Sequence, residues 1–303
     1  MFIRKRIRLI NLREAGNFKL IKLREFYFTC ILHFTMKHLF VFVDFSKTSI
    51  VAFNQALAIA EYKDSTISIC HIVSNLTDEV QGDVHRRLQP FLDIALQKGV
   101  NINPVIVEGE LFETAKEVVM RLKPDIIVVG THGREGIHLR LFGSAIHKLV
   151  REVSAPSLVL GTTCIPMTKG FQKVLIPAGS HSGYLIQVER VCELLAPDGE
   201  ITLFVIDNAD LPIDNGSMEN LNSARKLLDA RNVRWKYVEV KAKPHQTGVA
   251  AQTLEYILKE NIELIAITAE IAERFKHFGK LDKEAFLLNE HGIKVLCVNR
   301  HLS

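Results

Sequence analysis

The sequence predicts an α/β protein of two tandem, doubly wound domains, each built on a five-stranded parallel sheet. Along its 303 residues, short apolar runs alternate with segments of helical spacing, as expected for parallel strands joined by crossover helices. This pattern restarts after a linker at Gly161–Gly170 and has a period of about 135 residues, which is typical of a duplicated domain. One apolar run ends at Gly130 in a glycine-bearing loop, at the edge where such sheets place ligands.

The first domain is predicted at residues 36–162. Its first helix follows from the 3.6-residue spacing of Val51, Ala52, Ala56 and Ile59, and its second helix contains Pro90, which we expect to kink or divide it. The other elements follow from apolar runs or amphipathic spacing. In order they are Leu39–Val43 (strand), Ser49–Ala60 (helix), Ser65–Val73 (strand), Asp78–Lys98 (helix), a strand containing Val105–Val107, Leu111–Leu122 (helix), Asp125–Val129 (strand), Ser144–Glu152 (helix) and Ser157–Leu160 (strand).

The second domain is predicted at residues 171–303, where the same order recurs. The expected elements are Lys173–Pro177 (strand), Tyr184–Leu195 (helix), Glu200–Ile206 (strand), Met218–Ala230 (helix), Arg234–Val240 (strand), Gly248–Lys259 (helix), Ile262–Ile267 (strand) and Lys294–Val298 (strand). Because unpaired edge strands are a liability, we expect the last strands of the two domains to pair in an intramolecular pseudo-dimer.

The stretch from Gly130 to Ser144 carries the clearest functional signal. It reads G-T-H-G-R-E-G-I-H-L-R-L-F-G-S and lies between a predicted buried strand and a predicted helix. Glycines allow backbone N–H groups to approach an anion, and a helix N-terminus adds unpaired N–H groups and a favourable dipole. The stretch is therefore predicted to hold the phosphates of a nucleotide, although a glycine-rich turn without a ligand remains the alternative.

The spacing G-x2-G-x9-G-[S/T] resembles the nucleotide-binding signature of the universal stress protein family, whereas the P-loop and the dinucleotide fingerprint are absent. The resemblance covers most of residues 36–162 and implies a universal stress protein fold of the adenine nucleotide alpha hydrolase-like kind. It implies ATP as the ligand, with or without Mg²⁺. The binding residues carried over by this resemblance are Asp44, Ile72, Val129, Gly130, Gly133, Gly143, Ser144 and Ala145.

Asp44 and Ile72 are the residues predicted to contact the adenosine. Asp44 follows the first strand, where its carboxylate could accept hydrogen bonds from a ribose or an adenine, and its alternative role is to cap the next helix. In nucleotide-binding relatives the residue after the strand-two histidine contacts adenine, so Ile72 is the counterpart. His71 itself is interpreted as a packed, hydrogen-bonded histidine at a strand end.

The second domain departs from the signature and is predicted to have a degenerate site. By sequence, Ala178 stands where the first domain has Asp44, Phe204-Val205 stands for His71-Ile72, and Thr268-Ala269-Glu270 replaces the glycine loop. The whole chain thus resembles a tandem universal stress protein with one intact site.

Residues 1–35 form a basic extension with eight Lys or Arg and two acidic residues. Their charge of +6 exceeds the total of +4, so the remainder is slightly acidic and gives no case for nucleic-acid binding. Either translation starts at Met36, which we favour, or the extension is a functional arm, for example a membrane-surface helix. No apolar run is long enough to span a membrane. Five cysteines without a C-x-x-C pair suit a reducing cytosol, so a cytoplasmic location is expected.

Three function classes stay open at this stage. The first and favoured class is an ATP-binding regulatory module of the stress response. The second is an enzyme, at most a weak ATPase or phosphotransferase, and no catalytic residue is assigned because no general base or carboxylate pair is evident. The third is a nucleotide-independent interaction protein. Whatever the class, the two halves are expected to form an intramolecular pseudo-dimer, and a homodimer of the whole chain stays open. No metal site is predicted, because His132, His138 and His147 lack ligand-like spacing with a carboxylate.

Overall fold

A computed structural model of the chain describes residues 36–131, 148–207, 212–242, 249–268 and 291–298. Contacts divide the chain between Thr35 and Met36, and the architecture below belongs to the unit that begins at Met36. The described elements of the first half are the strands β1 (His38–Phe42), β2 (Thr66–Val73), β3 (Ile102–Glu108), β4 (Ile126–Gly130) and β5 (Ser157–Leu160), and the helices α1 (Lys47–Lys63), α2 (Asp78–Gln97) and α3 (Leu111–Leu122).

The second half repeats this succession. Its described elements are the strands β6 (Phe171–Pro177), β7 (Leu195–Asp207), β8 (Arg234–Lys241), β9 (Leu264–Thr268) and β10 (Lys294–Val298), and the helices α4 (Tyr184–Leu194), α5 (Asn215–Ala230) and α6 (Val249–Glu260). Residues 148–152 are also helical. The predicted α/β class is confirmed, with strands and helices alternating and the sheet mostly parallel.

All ten strands belong to one sheet with the order β3-β2-β1-β4-β5-β10-β9-β6-β7-β8. Pairing is parallel inside each half, whereas β5 and β10 are antiparallel to each other. In that pair Leu158 lies opposite Leu296, and Val159 lies opposite Val295. Each five-stranded group thus meets the other through its last strand in the chain.

Helices cover both faces of the sheet, because alternate residues of each buried strand point to opposite sides. On one face, Leu39 and Val41 of β1 pack in a core with residues from α1, α2, α4 and α5. On the other face, Phe40 and Phe42 pack with residues from α3 and α6 and with residues 149–153. The inner strands are therefore buried on both sides, which explains why they are apolar runs, whereas the edge strands β3 and β8 are partly exposed and carry polar residues.

Of the two effects expected of Pro90, a kink or a division of the helix, the division does not occur. Pro90 does not divide the second helix, because α2 runs unbroken from Asp78 to Gln97 with Pro90 inside it. Its amphipathic packing, with Val84, Leu88 and Ala95 buried, holds both turns around the proline on the sheet. Tertiary packing thus outweighs the local loss of one backbone hydrogen bond.

Candidate functional site

The order of the strands brings the predicted site residues to one edge of the first half. Strand β1 pairs with β2 on one side and with β4 on the other, so the topology switches direction between β1 and β4. Asp44 follows β1, Ile72 lies near the end of β2, and Gly130 ends β4. The carboxyl ends of these three parallel strands meet at the crevice where open α/β sheets bind ligands.

Asp44 lies in a tight turn between β1 and α1. One oxygen of its carboxylate accepts a hydrogen bond from the Ser46 N–H group at 3.0 Å. The N-cap of α1 is Ser46, whose Oγ accepts from the Ser49 N–H group at 3.3 Å. Because Ser46 caps the helix, the alternative that Asp44 is the capping residue does not hold.

Gly130 lies against the first turn of α1. A Cβ atom added at this position would lie 2.5 Å from the carbonyl oxygen of Thr48, a backbone atom that cannot move aside easily. Close packing between β4 and α1 therefore requires a glycine here, whether or not a ligand binds. The sequence gives no sign of this contact, since Thr48 lies far from Gly130 along the chain.

Ile72 and Val129 contribute apolar surface on the same face of the sheet. Val129 is fully buried, and Ile72 is half-buried against the same core, beside Val107 and Phe112. Ile72 thus offers a partly open apolar surface at the end of β2, and Val129 supports it from the adjoining core.

His71 and Phe45 form the opposite wall of the turn. The His71 ring donates from Nδ1 to the Val43 carbonyl oxygen at 2.6 Å, as expected of a packed histidine at a strand end. Phe45 has a left-handed backbone with φ of 64°, which is unusual for a bulky residue and stores strain. Its ring lies 4.7 Å from that of His71, and the Arg87 guanidinium lies 3.9 Å from its centroid. Sequence reasoning missed Phe45 and Arg87, because neither belongs to the glycine signature.

The remaining predicted residues all lie outside the described residues. They are the site residues Gly133, Gly143, Ser144 and Ala145, together with the histidines His132, His138 and His147. The phosphate loop therefore stays a prediction from sequence.

Strand registers correct the alignment between the halves by one residue. The Val43 N–H group donates to the carbonyl oxygen of Cys70 at 2.9 Å, and the Ala178 N–H group donates to the carbonyl oxygen of Phe204 at 2.8 Å. Because these two bonds join the first and second strands of each half at the same place, Val43 corresponds to Ala178. Asp44 then corresponds to Gly179 rather than Ala178, and His71-Ile72 corresponds to Val205-Ile206 rather than Phe204-Val205. Gly130 corresponds to Thr268, as the pairing of β4 with β1 and of β9 with β6 requires.

The equivalent turn of the second half is held in a different way. From α5, Asn220 donates through Nδ2 to the carbonyl oxygens of Gly179 at 2.8 Å and His181 at 3.1 Å. Gly179 stands at the position of Asp44, and Thr268 stands at the position of Gly130. The two crevices therefore differ in their chemistry even though the strands around them match.

The described parts of the chain contain neither a cluster of metal ligands nor a membrane-spanning helix. Within them, no group of three or more His, Cys, Asp or Glu side chains is placed to hold a metal ion. Likewise, no helix in these ranges has the length and apolar character needed to cross a membrane.

Comparisons with known proteins agree with this geometry. Residues 35–161 match the profile of the universal stress protein family. The fold resembles that of a universal stress protein from Archaeoglobus fulgidus DSM 4304, with a TM-score of 0.60, 12% identity, and coverage of 88% of this chain and 97% of that one. It also resembles a functionally unknown protein from Pseudomonas aeruginosa PAO1, with a TM-score of 0.55, 12% identity, and coverage of 87% and 92%. No curated protein matches the sequence.

Proposed function

From the match of residues 35–161 to the universal stress protein family, we propose that the chain binds one adenine nucleotide, ATP, in its first half. The nucleotide-bound state then acts as a regulatory signal in a stress response in the cytoplasm. The observation that carries the proposal is the asymmetry of two matching crevices. One has Asp44 and Gly130 at the ends of its central strands, and the other has Gly179 and Thr268 at the same registers.

Each predicted residue has a defined task in this proposal. The Asp44 carboxylate accepts hydrogen bonds from ribose hydroxyls or the adenine amino group, and Ile72 offers an apolar surface to the base. Phosphates lie over the loop that starts at Gly130, where backbone N–H groups at Gly133 and at the helix start that the sequence predicts near Ser144 receive them. Gly143 and Ala145 flank that helix start, and Mg²⁺ accompanies the phosphates if the ligand is the magnesium complex.

We also propose that residues 36–162 and 171–303 are two domains of one intramolecular pseudo-dimer. The pairing of β5 with β10 supports this arrangement, since Leu158 and Leu296 occupy equivalent positions and lie opposite each other. An approximate two-fold axis between two equivalent residues is what two copies of one domain would generate. In this view the second domain is a permanent partner that keeps the fold but not the nucleotide site.

Calorimetric titration with ATP, ADP and AMP, with and without Mg²⁺, tests the nucleotide proposal, and native mass spectrometry gives the stoichiometry. We expect one nucleotide per chain. A Gly133→Val variant should lose binding because its side chain blocks approach to the backbone. Gly82→Val is the matched control, because nothing lies within 4 Å of a Cβ added at Gly82 in α2.

Four results would contradict or change the proposal in different ways. A stoichiometry near two would place a second site in the second half, and unchanged affinity in Gly133→Val would remove the phosphate loop from the site. Absence of binding to any adenine nucleotide would favour a nucleotide-independent interaction protein. If the protein releases inorganic phosphate from bound ATP, and the Gly133→Val variant does not, the result would instead favour a weak ATPase or phosphotransferase.

A further inference from the structure

The second half contains a cationic and aromatic cluster formed by Tyr184, Arg225, Trp235 and Tyr237, called the Arg225 cluster below. Arg225 projects from α5 over two rings of the edge strand β8. Its guanidinium carbon lies 4.6 Å from the Tyr237 centroid and 5.9 Å from the Trp235 centroid. Tyr184 lies at the start of the neighbouring helix α4.

Arg225 has no carboxylate partner among the described residues. Its one hydrogen bond there is long, from Nη1 to the Asn222 side chain at 3.4 Å, and its buried Nε has no partner. The nearby carboxylates accept hydrogen bonds from the aromatic side chains instead of from Arg225. Asp229 accepts from Trp235 Nε1 at 2.8 Å, and Glu239 accepts from the Tyr237 hydroxyl at 2.5 Å. Most of the five N–H donors of this guanidinium therefore lack an acceptor in the described protein.

Tyr184 supplies a second unsatisfied donor. Its side chain is fully buried, yet its hydroxyl has no hydrogen-bond partner among the described residues. Burial raises the pKa of this phenol, and the nearby Arg225 charge opposes that rise, so the hydroxyl keeps its proton at neutral pH. A buried hydroxyl and a buried guanidinium N–H without acceptors are each costly, so both donors are open to an acceptor supplied by a ligand or a water.

The first-half counterparts of Arg225, Trp235 and Tyr237 are apolar. Matching bonds at the helix ends, from Val100 to Ala95 and from Val233 to Leu228, align Arg225 with Leu92. The strand registers align Tyr237 with Pro104 and Trp235 with Ile102. Since the two halves share a fold, the fold itself does not need this cluster. The polar groups are peculiar to the half that lacks the nucleotide signature.

We propose that the Arg225 cluster is a binding site for an oxyanion, the carboxylate or phosphate group of a small ligand. Arg225 supplies the charge and N–H donors, and the Tyr184 hydroxyl adds a neutral donor. The rings of Tyr237 and Trp235 fix the guanidinium plane and shield it from water, which strengthens its interaction with an anion. This site is separate from the crevice at Asp44 and does not depend on nucleotide binding there.

Thermal unfolding of the full chain in phosphate or in acetate, each compared with chloride at equal ionic strength, tests the proposal. Excluded salts raise stability without saturation, so the informative signal is a saturable rise in the unfolding midpoint. We expect saturation with one of the two anions. Arg225→Gln should raise the half-saturating concentration by roughly tenfold or more, and Tyr184→Phe by several-fold. Lys226→Gln, which removes the same charge from the exposed adjacent position, should leave it unchanged.

The variants distinguish an anion bound at Arg225 from an anion bound elsewhere and from a buried water. A saturable shift that survives in Arg225→Gln belongs to another site, such as the nucleotide loop, and would overturn the proposal. If a structural water satisfies Tyr184, then Tyr184→Phe lowers stability in chloride alone while neither anion has a saturable effect, and this also overturns it. If Arg225→Gln fails to fold, Tyr184→Phe and Lys226→Gln still decide the matter, because only the former should change half-saturation.

Discussion

Among single residues, Asp44 is the side chain to which the proposed function assigns the most direct contact with the nucleotide. Its carboxylate is fixed by the Ser46 N–H group at the carboxyl edge of β1, while Ser46 itself caps α1. Removing the carboxylate therefore leaves the helix cap in place. The functional and structural roles of this turn can be separated by mutation.

We expect Asp44→Ala to weaken ATP binding by about 5- to 150-fold, since loss of one hydrogen bond to a ligand costs roughly 1–3 kcal/mol. The midpoint of thermal unfolding should change little. Calorimetric titration measures the affinity, and Asp83→Ala, which removes an exposed carboxylate from α2, is the control. Equal affinities in Asp44→Ala and wild type would remove this residue from the site.

Gly130 has a structural role that can be measured without any ligand. We expect Gly130→Ala to destabilise the protein by about 1–3 kcal/mol, because the new methyl group would press against the Thr48 carbonyl. Gly82→Ala is the opposite case. It lies in a helix with open space around it and should stabilise the fold by about 0.5–1 kcal/mol. Urea unfolding of both variants makes the comparison, and a neutral Gly130→Ala would show that α1 can move away.

At the scale of elements, the positions of most strands and helices were predictable because each is an apolar run or an amphipathic segment. Predictions matched the ends of α3, β5 and β10, where the apolar pattern starts and stops sharply. They fell short by three residues at the end of α1, where the polar residues Glu61 and Lys63 interrupt the apolar pattern, Glu61 being exposed and Lys63 half-buried. The alignment of residues between the two halves was harder to predict. Pairing Asp44 with Ala178 or with Gly179 leaves the apolar pattern of β6 unchanged, so the sequence does not distinguish the two.

Other features of the site depend on contacts between distant parts of the chain. The Asn220 bonds to the turn at Gly179 join α5 to the loop after β6, and Arg87 reaches Phe45 from another helix. Neither contact leaves a local pattern in the sequence. Motif spacing could therefore nominate Asp44 and Gly130, but it could not show which side chains surround them.

The junction between β5 and β10 provides a test at the same scale. Leu296 is fully buried in β10 and lies opposite Leu158 in the middle of the ten-stranded sheet. We expect Leu296→Ala to cost about 2–5 kcal/mol in free energy of unfolding, as for other buried leucines. Its effect should reach both halves, so amide exchange should accelerate in β4 as well as in β9.

Leu96→Ala is the control for this experiment, because Leu96 is 78% exposed on α2 and should change stability by no more than about 0.5 kcal/mol. Faster exchange confined to β9 and β10 in Leu296→Ala would show that the halves unfold independently. That result would argue against the pseudo-dimer as a single cooperative unit.

At the scale of the whole molecule, the described fold is anchored from its first residue onward. The Met36 side chain is buried, with 3% of its surface exposed, and its carbonyl oxygen accepts from the Ser65 hydroxyl at 2.8 Å. The next residue, Lys37, donates through its N–H group to Asp125 at 2.7 Å. These contacts tie the entry into β1 to both neighbouring segments of the sheet.

We therefore expect residues 1–35 to be dispensable for folding, and residues 36 and 37 not to be. A chain released by tag cleavage to begin at Met36 should unfold at the temperature of the full chain. A second chain that begins at His38 loses the buried Met36 side chain and the acceptor for Ser65, and it should unfold several degrees lower.

Calorimetry on the three chains makes the comparison. A large drop already at Met36 would mean that the basic extension contributes to the fold, and equal midpoints for all three would mean that the anchoring contacts at Met36 are energetically minor.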